Sequence, residues 1–279
     1  MKCWICNINE ANSEEHKFKA SDIKRNFGKK FEGIYYNGGV HSFTSDKDKN
    51  IKFPKIICID CNNNKTRRAD DAYTEFTENY EAINSEIECK GRINFEKIYG
   101  DCWNIKKLDL YRYFAKHAGC KIITNNIHDN IDLSKLSQFI LGGKAINSFY
   151  IKIYYNGLIK AFTDVLKTAD IDRYKVNLAF GKTVFHEKDN NLFYCGSIII
   201  GSLRIEWFYS VNSIFNREIK FDNVCEKVNV INNKCFYPVP FSNFINEEFM
   251  TYLNYGKYYL NEELEIPYFI SKLKDISNS

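Results

Sequence analysis

The sequence predicts an α+β fold: an N-terminal unit held together by a metal ion, residues 1–75, followed by a body of mixed helices and antiparallel sheet over 76–279. Three observations predict it. Two Cys-x-x-Cys pairs, Cys3/Cys6 and Cys58/Cys61, stand about fifty residues apart. Apolar residues recur at helical intervals in Tyr73, Phe76, Tyr80 and Ile83 and again in Leu108, Tyr111, Ala115 and Ala118. From Phe149 the pattern changes to short segments rich in β-branched and aromatic residues, separated by Asn, Gly and Asp.

The cysteines carry the strongest signal. Each Cys-x-x-Cys turn presents two thiolates, and four thiolates satisfy one tetrahedral zinc, so Cys3, Cys6, Cys58 and Cys61 read as one structural Zn2+ site. The other six, Cys89, Cys102, Cys120, Cys195, Cys225 and Cys235, are scattered singly. That pattern fits a metal site plus buried thiols in a reducing compartment rather than a disulfide scaffold. No apolar run approaches the roughly 18 residues of a membrane span, and no apolar leader follows Met1-Lys2-Cys3-Trp4. The expectation is a cytoplasmic protein without membrane contact.

Aromatic residues make up 16% of the chain, including 19 Tyr and 22 Phe, which suits a folded protein and excludes a disordered one. The net charge of +4 hides an asymmetry. Between Lys17 and Arg68 there are thirteen Lys/Arg against five Asp/Glu, whereas the chain after Arg68 is slightly acidic. A polyanion would be drawn to the zinc segment and not to the body.

In order, Ser21 to Gly28 reads as a short helix, with Ser21 or Asp22 as cap, Ile23 and Phe27 on one face and Gly28 as stop. Phe31 to Phe43 with Gly38-Gly39 reads as a hairpin, and 44–50 as a solvated loop. Lys55 to Cys58 reads as a strand that delivers the second pair to a helix bearing Asn62. Gly91 and Gly100 break the helical region. Strands are expected at 149–155, 182–186, 192–200 and 205–209, and a further helix at 250–260.

A purely structural zinc module has no need of Glu14-Glu15-His16 after its first pair, nor of Asn62 directly after its last cysteine. A metal-dependent phosphodiesterase needs such groups: an imidazole to take a proton from water, a carboxylate and a neutral oxygen for a hard cation, and cations for the flanking phosphates. Each has a plainer alternative. His16 could be a surface histidine in a charged loop, Glu14 could serve instead of Glu15, and Asn is a good helix cap in any such module. His117, on an amphipathic helix beside Lys116, fits a partly buried helical histidine better than a phosphate contact.

The order Cys-x-x-Cys, Glu15-His16, Cys-x-x-Cys-Asn62 resembles the HNH endonucleases of the ββα-metal class with a treble-clef zinc. The strings Glu15 to Asp22 and Cys58 to Thr66, continuing to Asp70, Tyr73 and Phe76, are similar to one bacterial branch of that family. The matched motifs span about a quarter of the chain, Cys3 to Phe76. Tyr111 to His117 resembles the same branch more weakly.

The resemblance implies His16 as general base, with Glu15 and Asn62 as ligands of a catalytic Mg2+ or Mn2+; Asn63 replaces Asn62 if the register shifts by one. Lys65, Arg67, Arg68, Lys17 and Lys19 would hold nucleic-acid phosphates, with DNA the favoured polymer. Tyr35, Tyr36 and Phe43 could stack on bases. Cleavage would leave 5′-phosphate and 3′-hydroxyl ends. The family's middle Asn, which orients the base, has no counterpart here, since 53–57 contains no Asn, and Thr66 stands where some members have a further His. The expected function is an HNH endonuclease, conjecturally a phage-defence effector regulated through its body. The alternatives are a non-catalytic zinc module that docks nucleic acid or protein, and a nickase that needs another subunit; homo-oligomerisation is left open.

Overall fold

A computed structural model describes residues 1–27, 33–36, 40–125, 131–156, 178–180, 184–188, 191–211 and 223–231. Residues 1–11 close on themselves around the first cysteine pair: the Cys3 N–H donates to the Asn9 carbonyl at 2.8 Å and the Asn7 N–H to the Cys3 carbonyl at 2.8 Å. Asn7 takes a φ of 52°, a left-handed conformation that Asn tolerates because its short amide can bond locally. An extended segment then crosses residues 51–53, where the Lys17 N–H meets the Ile51 carbonyl at 2.8 Å and the Phe53 N–H meets the Glu15 carbonyl at 2.7 Å.

Helix α1 (Ala20–Phe27) and the antiparallel hairpin of β1 (Gly33–Tyr36) and β2 (Val40–Phe43) fall where the sequence places them. The strand expected at 55–58 is absent; only a single bridge joins Ser13 to Ile57. Pro54, which lacks an N–H, denies that segment a longer ladder.

The second cysteine pair opens a π-helical turn, Cys61–Lys65, which runs into α2 (Arg67–Glu78). The Thr66 N–H reaches back five residues to the Cys61 carbonyl at 3.2 Å. The helical run around Tyr73 to Ile83 is split at Asn79, so that α3 (Tyr80–Lys90) forms a separate helix. Gly91 and Gly100, at φ 60° and 62°, bracket β3 (Arg92–Asn94) and α4 (Phe95–Tyr99). Both need the left-handed region that Gly enters without penalty. Helix α5 (Trp103–Asn125) extends beyond the expected segment at both ends, and α6 (Ser134–Ile140) follows it.

The sheet contains β4 (Phe149–Asn156), β5 (Leu178–Phe180), β6 (Val184–Lys188), β7 (Asn191–Ile200), β8 (Leu203–Ser210) and, after β9 (Cys225–Lys227), β10 (Asn229–Ile231). Its order is β10-β4-β8-β7-β5, with β6 also on β7. All pairings are antiparallel except the parallel one between β10 and β4. Every residue of β8 is buried, as expected for the central strand. β9 leaves this sheet to pair with β3. The segment 250–260 lies outside the described residues.

Helix α5 is the hub. A buried cluster of apolar side chains runs without break from Cys3 and Ile5 through Phe76, Tyr111 and Phe114 to Trp207 and Val228, so α5 is enclosed on most sides. Its polar side chains each tie a different element. Lys107 pairs with Glu226 on β9 at 2.9 Å; Arg112 donates to the Phe139 and Gly143 carbonyls at 3.0 and 2.9 Å; Lys121 reaches the Ser197 carbonyl on β7 at 3.4 Å. Lys116 serves the N-terminal unit. Among the described residues no helix is long and apolar enough to cross a membrane.

Candidate functional site

The four predicted cysteines come together. Their Sγ atoms lie within 4.8 Å of one another, and Cys6 Sγ stands 3.8 Å from Cys58 Sγ. Tetrahedral zinc with Zn–S bonds of about 2.3 Å sets its sulfurs about 3.8 Å apart, so the set could hold zinc. Burial raises the Cys3 and Cys61 thiols, whereas backbone N–H groups favour thiolate at Cys6. Burial alone would raise the Cys6 thiol, but the Asn9 and Ile8 amides bring it down to about 6. The Asn9 side chain and the Cys61 N–H also point at Cys58 Sγ, at 3.7 and 3.4 Å, the outer shell that orients a ligand.

Glu15 and His16 leave the chain in different directions. Glu15 turns inward beneath α5 and is 8% exposed. His16 turns to the loop at 44–48, where its Nε2 meets the Asp46 carbonyl at 2.9 Å. A carbonyl only accepts, so Nε2 carries the hydrogen and Nδ1 is left with its lone pair. Burial holds the His16 pKa below its usual value, with the Asp46 carbonyl opposing and Lys52 and Lys24 adding to the depression. The ring is therefore neutral at pH 7.

Asn62 joins Glu15 but not His16. The π-turn directs its side chain inward, where Nδ2 donates to Ser13 Oγ at 3.0 Å and to the Glu14 carbonyl at 3.2 Å. Its Oδ1 faces Lys116 Nζ at 3.4 Å. The same ammonium lies 3.2 Å from Glu15 Oε1, 3.1 Å from both Asp70 carboxylate oxygens and 3.3 Å from Thr66 Oγ1. Residues from two distant stretches, Glu15 and the segment 62–70, thus place oxygen atoms around one cation, and that cation is a lysine from a third.

Charge and burial compete in this cluster. Burial raises the Glu15 pKa although the Lys116 ammonium opposes it. For Lys116 burial acts to strip the proton, but Glu15 and Asp70 overcome it and hold the pKa above the ordinary value. His117 Nε2 is 3.8 Å from Glu15. Burial, then repulsion from Lys116 and Lys121, pushes its pKa well below the usual range, so it too is neutral. Its ring packs on Tyr113 and edge-on to Phe53.

The basic residues divide. Lys19 is turned inward, with Nζ on the Asp70 carbonyl and against the Tyr73 and Tyr113 rings; Lys17 bonds the Asn50 carbonyl at 2.8 Å. Lys65 pairs with Asp60 at 3.0 Å. Arg67, 77% exposed in its side chain, and the exposed Arg68 face solvent on α2. The side chains of Tyr35, Tyr36 and Phe43 fall outside what the structure describes, and Asn63 is exposed.

Sequence reasoning missed Lys116 and Asp70 as members of the cluster and the Asp46 carbonyl as partner of His16. Asp70 and Thr66, spaced by four on one helix face, were a usable signal; a main-chain carbonyl leaves none. The all-oxygen donor set suits a hard divalent cation in kind, but its centre is filled by the ammonium, so such an ion does not fit the cradle as folded. No family model, curated protein or solved structure matches the chain.

Proposed function

We propose that the chain is an HNH-type endonuclease whose treble-clef zinc unit assembles the hydrolytic site, with His16 as general base, Glu15 and Asn62 as donors to a catalytic Mg2+ or Mn2+, and DNA as substrate. One observation carries this reading: Glu15 and Asn62, far apart in sequence, aim their oxygens at one point, which the Lys116 ammonium holds at 3.2 and 3.4 Å. A soluble-core helix cap would not bring a carboxylate and an amide oxygen to one point. His16 adds support, because a neutral ring held by a carbonyl at Nε2 keeps the Nδ1 lone pair that a general base needs. Arg67, 3.8 Å from Asp71, and Arg68 are exposed on α2 and supply the cationic groups this reading needs for phosphates.

A second reading, a zinc module that docks nucleic acid or protein without cleaving it, is favoured by the lysine in the cradle. Cleavage of supercoiled plasmid and of a structured RNA with Mg2+ or Mn2+, wild type beside His16→Ala at equal zinc content, decides between them. Metal-dependent cleavage lost in the variant upholds the nuclease and names its polymer. No cleavage of either polymer at low salt turns the assignment to the docking module.

A further inference from the structure

His16 has a basic neighbour that the motif does not contain. We propose that Lys52 is a substrate-binding residue of the same site, its ammonium holding the nucleic-acid phosphate presented to His16. The inference rests on the nuclease reading and supplies the cation that Lys17 and Lys19 do not.

Strand geometry argues for it first. His16 and Lys52 are partners in an antiparallel bridge. The bonds that flank them run from the Lys17 N–H to the Ile51 carbonyl and from the Phe53 N–H to the Glu15 carbonyl. His16 and Lys52 exchange no bond themselves, so they form the closer kind of cross-strand pair, with Cα atoms about 4.5 Å apart and both side chains on one face. Glu15 alternates to the opposite face, toward α5, whereas Glu14 returns to the face of His16 and meets Lys52 there.

The state of each lysine argues for it next. Lys17 Nζ bonds the Asn50 carbonyl at 2.8 Å and Lys19 Nζ the Asp70 carbonyl, so both are spent on the main chain. Lys52 Nζ instead stands 3.5 Å from the Glu14 carboxylate, with the two side chains 15% and 32% exposed. That separation is longer than the 2.7–2.9 Å or so of a charge-assisted hydrogen bond, and an ion pair open to water contributes little. A phosphate oxygen offers Lys52 the same negative charge, and Glu14 has solvent to turn to. Exchange of one anion for the other keeps the ammonium paired throughout.

The test uses the full zinc-loaded chain with a fluorescein-labelled DNA duplex and an RNA hairpin, titrated without Mg2+ or Mn2+ so that no cleavage intervenes. For the polymer that wild type binds, Lys52→Met should bind roughly tenfold more weakly and lower the slope of log Kd against log salt by about 0.9. Lys52→Arg should bind as wild type does. Glu14→Gln, which removes the competing carboxylate, should bind about two- to threefold more tightly. Lys97→Met, the same loss of charge on α4, should change neither affinity nor slope. The opposite signs at Glu14 and Lys52 separate a phosphate contact from a structural ion pair, whose loss weakens binding from either side. Equal weakening by Glu14→Gln and Lys52→Met overturns the inference, as does a folded Lys52→Met with the affinity and slope of wild type, or a wild type that binds neither polymer. Should Lys52→Met not fold, the sign at Glu14→Gln decides. If Lys52 carries binding in this way yet wild type cleaves neither plasmid nor RNA with Mg2+ or Mn2+, the Lys52 contact stands and the nuclease reading falls. If wild type cleaves and Lys52→Met binds and cleaves equally well, the reading stands and the Lys52 contact falls.

Discussion

The indole of Trp4 occupies the space that a side chain on Gly119 would need: a Cβ built there would sit 2.1 Å from Cη2 of the ring. The first zinc knuckle and the central helix of the body are joined at this contact, one turn along α5 from the lysine in the cradle. Gly119→Ala should destabilise the protein. Forcing a rigid ring aside costs about 1–3 kcal/mol, whereas the gain in helix propensity is at most about 1 kcal/mol. Urea denaturation of the two proteins measures the difference; an unchanged or higher midpoint would refute the close packing of Trp4.

Zinc removal should dismantle the N-terminal unit. Structural zinc contributes on the order of 10 kcal/mol to small modules of this kind, and the four buried or half-buried cysteines converge only where a metal can hold them. Wild type should carry one zinc per chain. Cys61→Ser should carry none and should lose helical circular dichroism from α1 and α2. A Cys61→Ser protein with native spectrum and Tm would remove the metal from the account of stability.

Acid should destabilise the fold through two imidazoles. Unfolded, His16 and His117 titrate near 6.5, and burial holds both below that when folded. As pH falls through 6.5 the unfolded chain binds protons that the folded chain refuses. Stability is therefore complete above that pH and declines below it until the folded values are passed. His117→Phe, which keeps a ring against Phe53 and Tyr113, should flatten the fall in Tm between pH 6.5 and 5.5, with zinc content matched. Identical slopes would show that His117 charges as readily in the folded protein as in the unfolded chain.

The partner of His16 on Asp46 is a main-chain oxygen, so the carboxylate of Asp46 should be dispensable for cleavage. Asp46→Asn should stay within about threefold of wild type, while His16→Ala should lose on the order of a hundredfold or more, the usual contribution of a general base. Equal losses in the two variants would mean that the side chain of Asp46, through its ion pair with Lys24 at 3.1 Å, orients the loop more than its carbonyl orients the ring.

How much of this was legible in the sequence follows from the range of each signal. Cysteine spacing, the paired strands at 33–36 and 40–43, the glycines at 91 and 100 and the β-branched and aromatic strands after Phe149 are local signals, and each element appears near where local chemistry puts it. The strand at 55–58 failed although its obstacle, Pro54 without an N–H for a ladder, stands in the sequence. The pairing of Glu15 with Asn62 was legible through motif order, but Lys116 was not. A lysine on a helix reads as solvated, and only the convergence of Glu15 and Asp70 from other elements makes its burial stable. The carbonyl of Asp46 has no sequence signature, since every residue owns one.

Chain order gives the Lys116 cradle a history. Glu15, Asn62 and Asp70 leave the ribosome before Lys116, and translation at about 5–20 residues per second puts some seconds between Asp70 and Lys116. Zinc can close the two knuckles in that interval. The carboxylates of Glu15 and Asp70 then wait for their ammonium partner until α5 arrives to cover them.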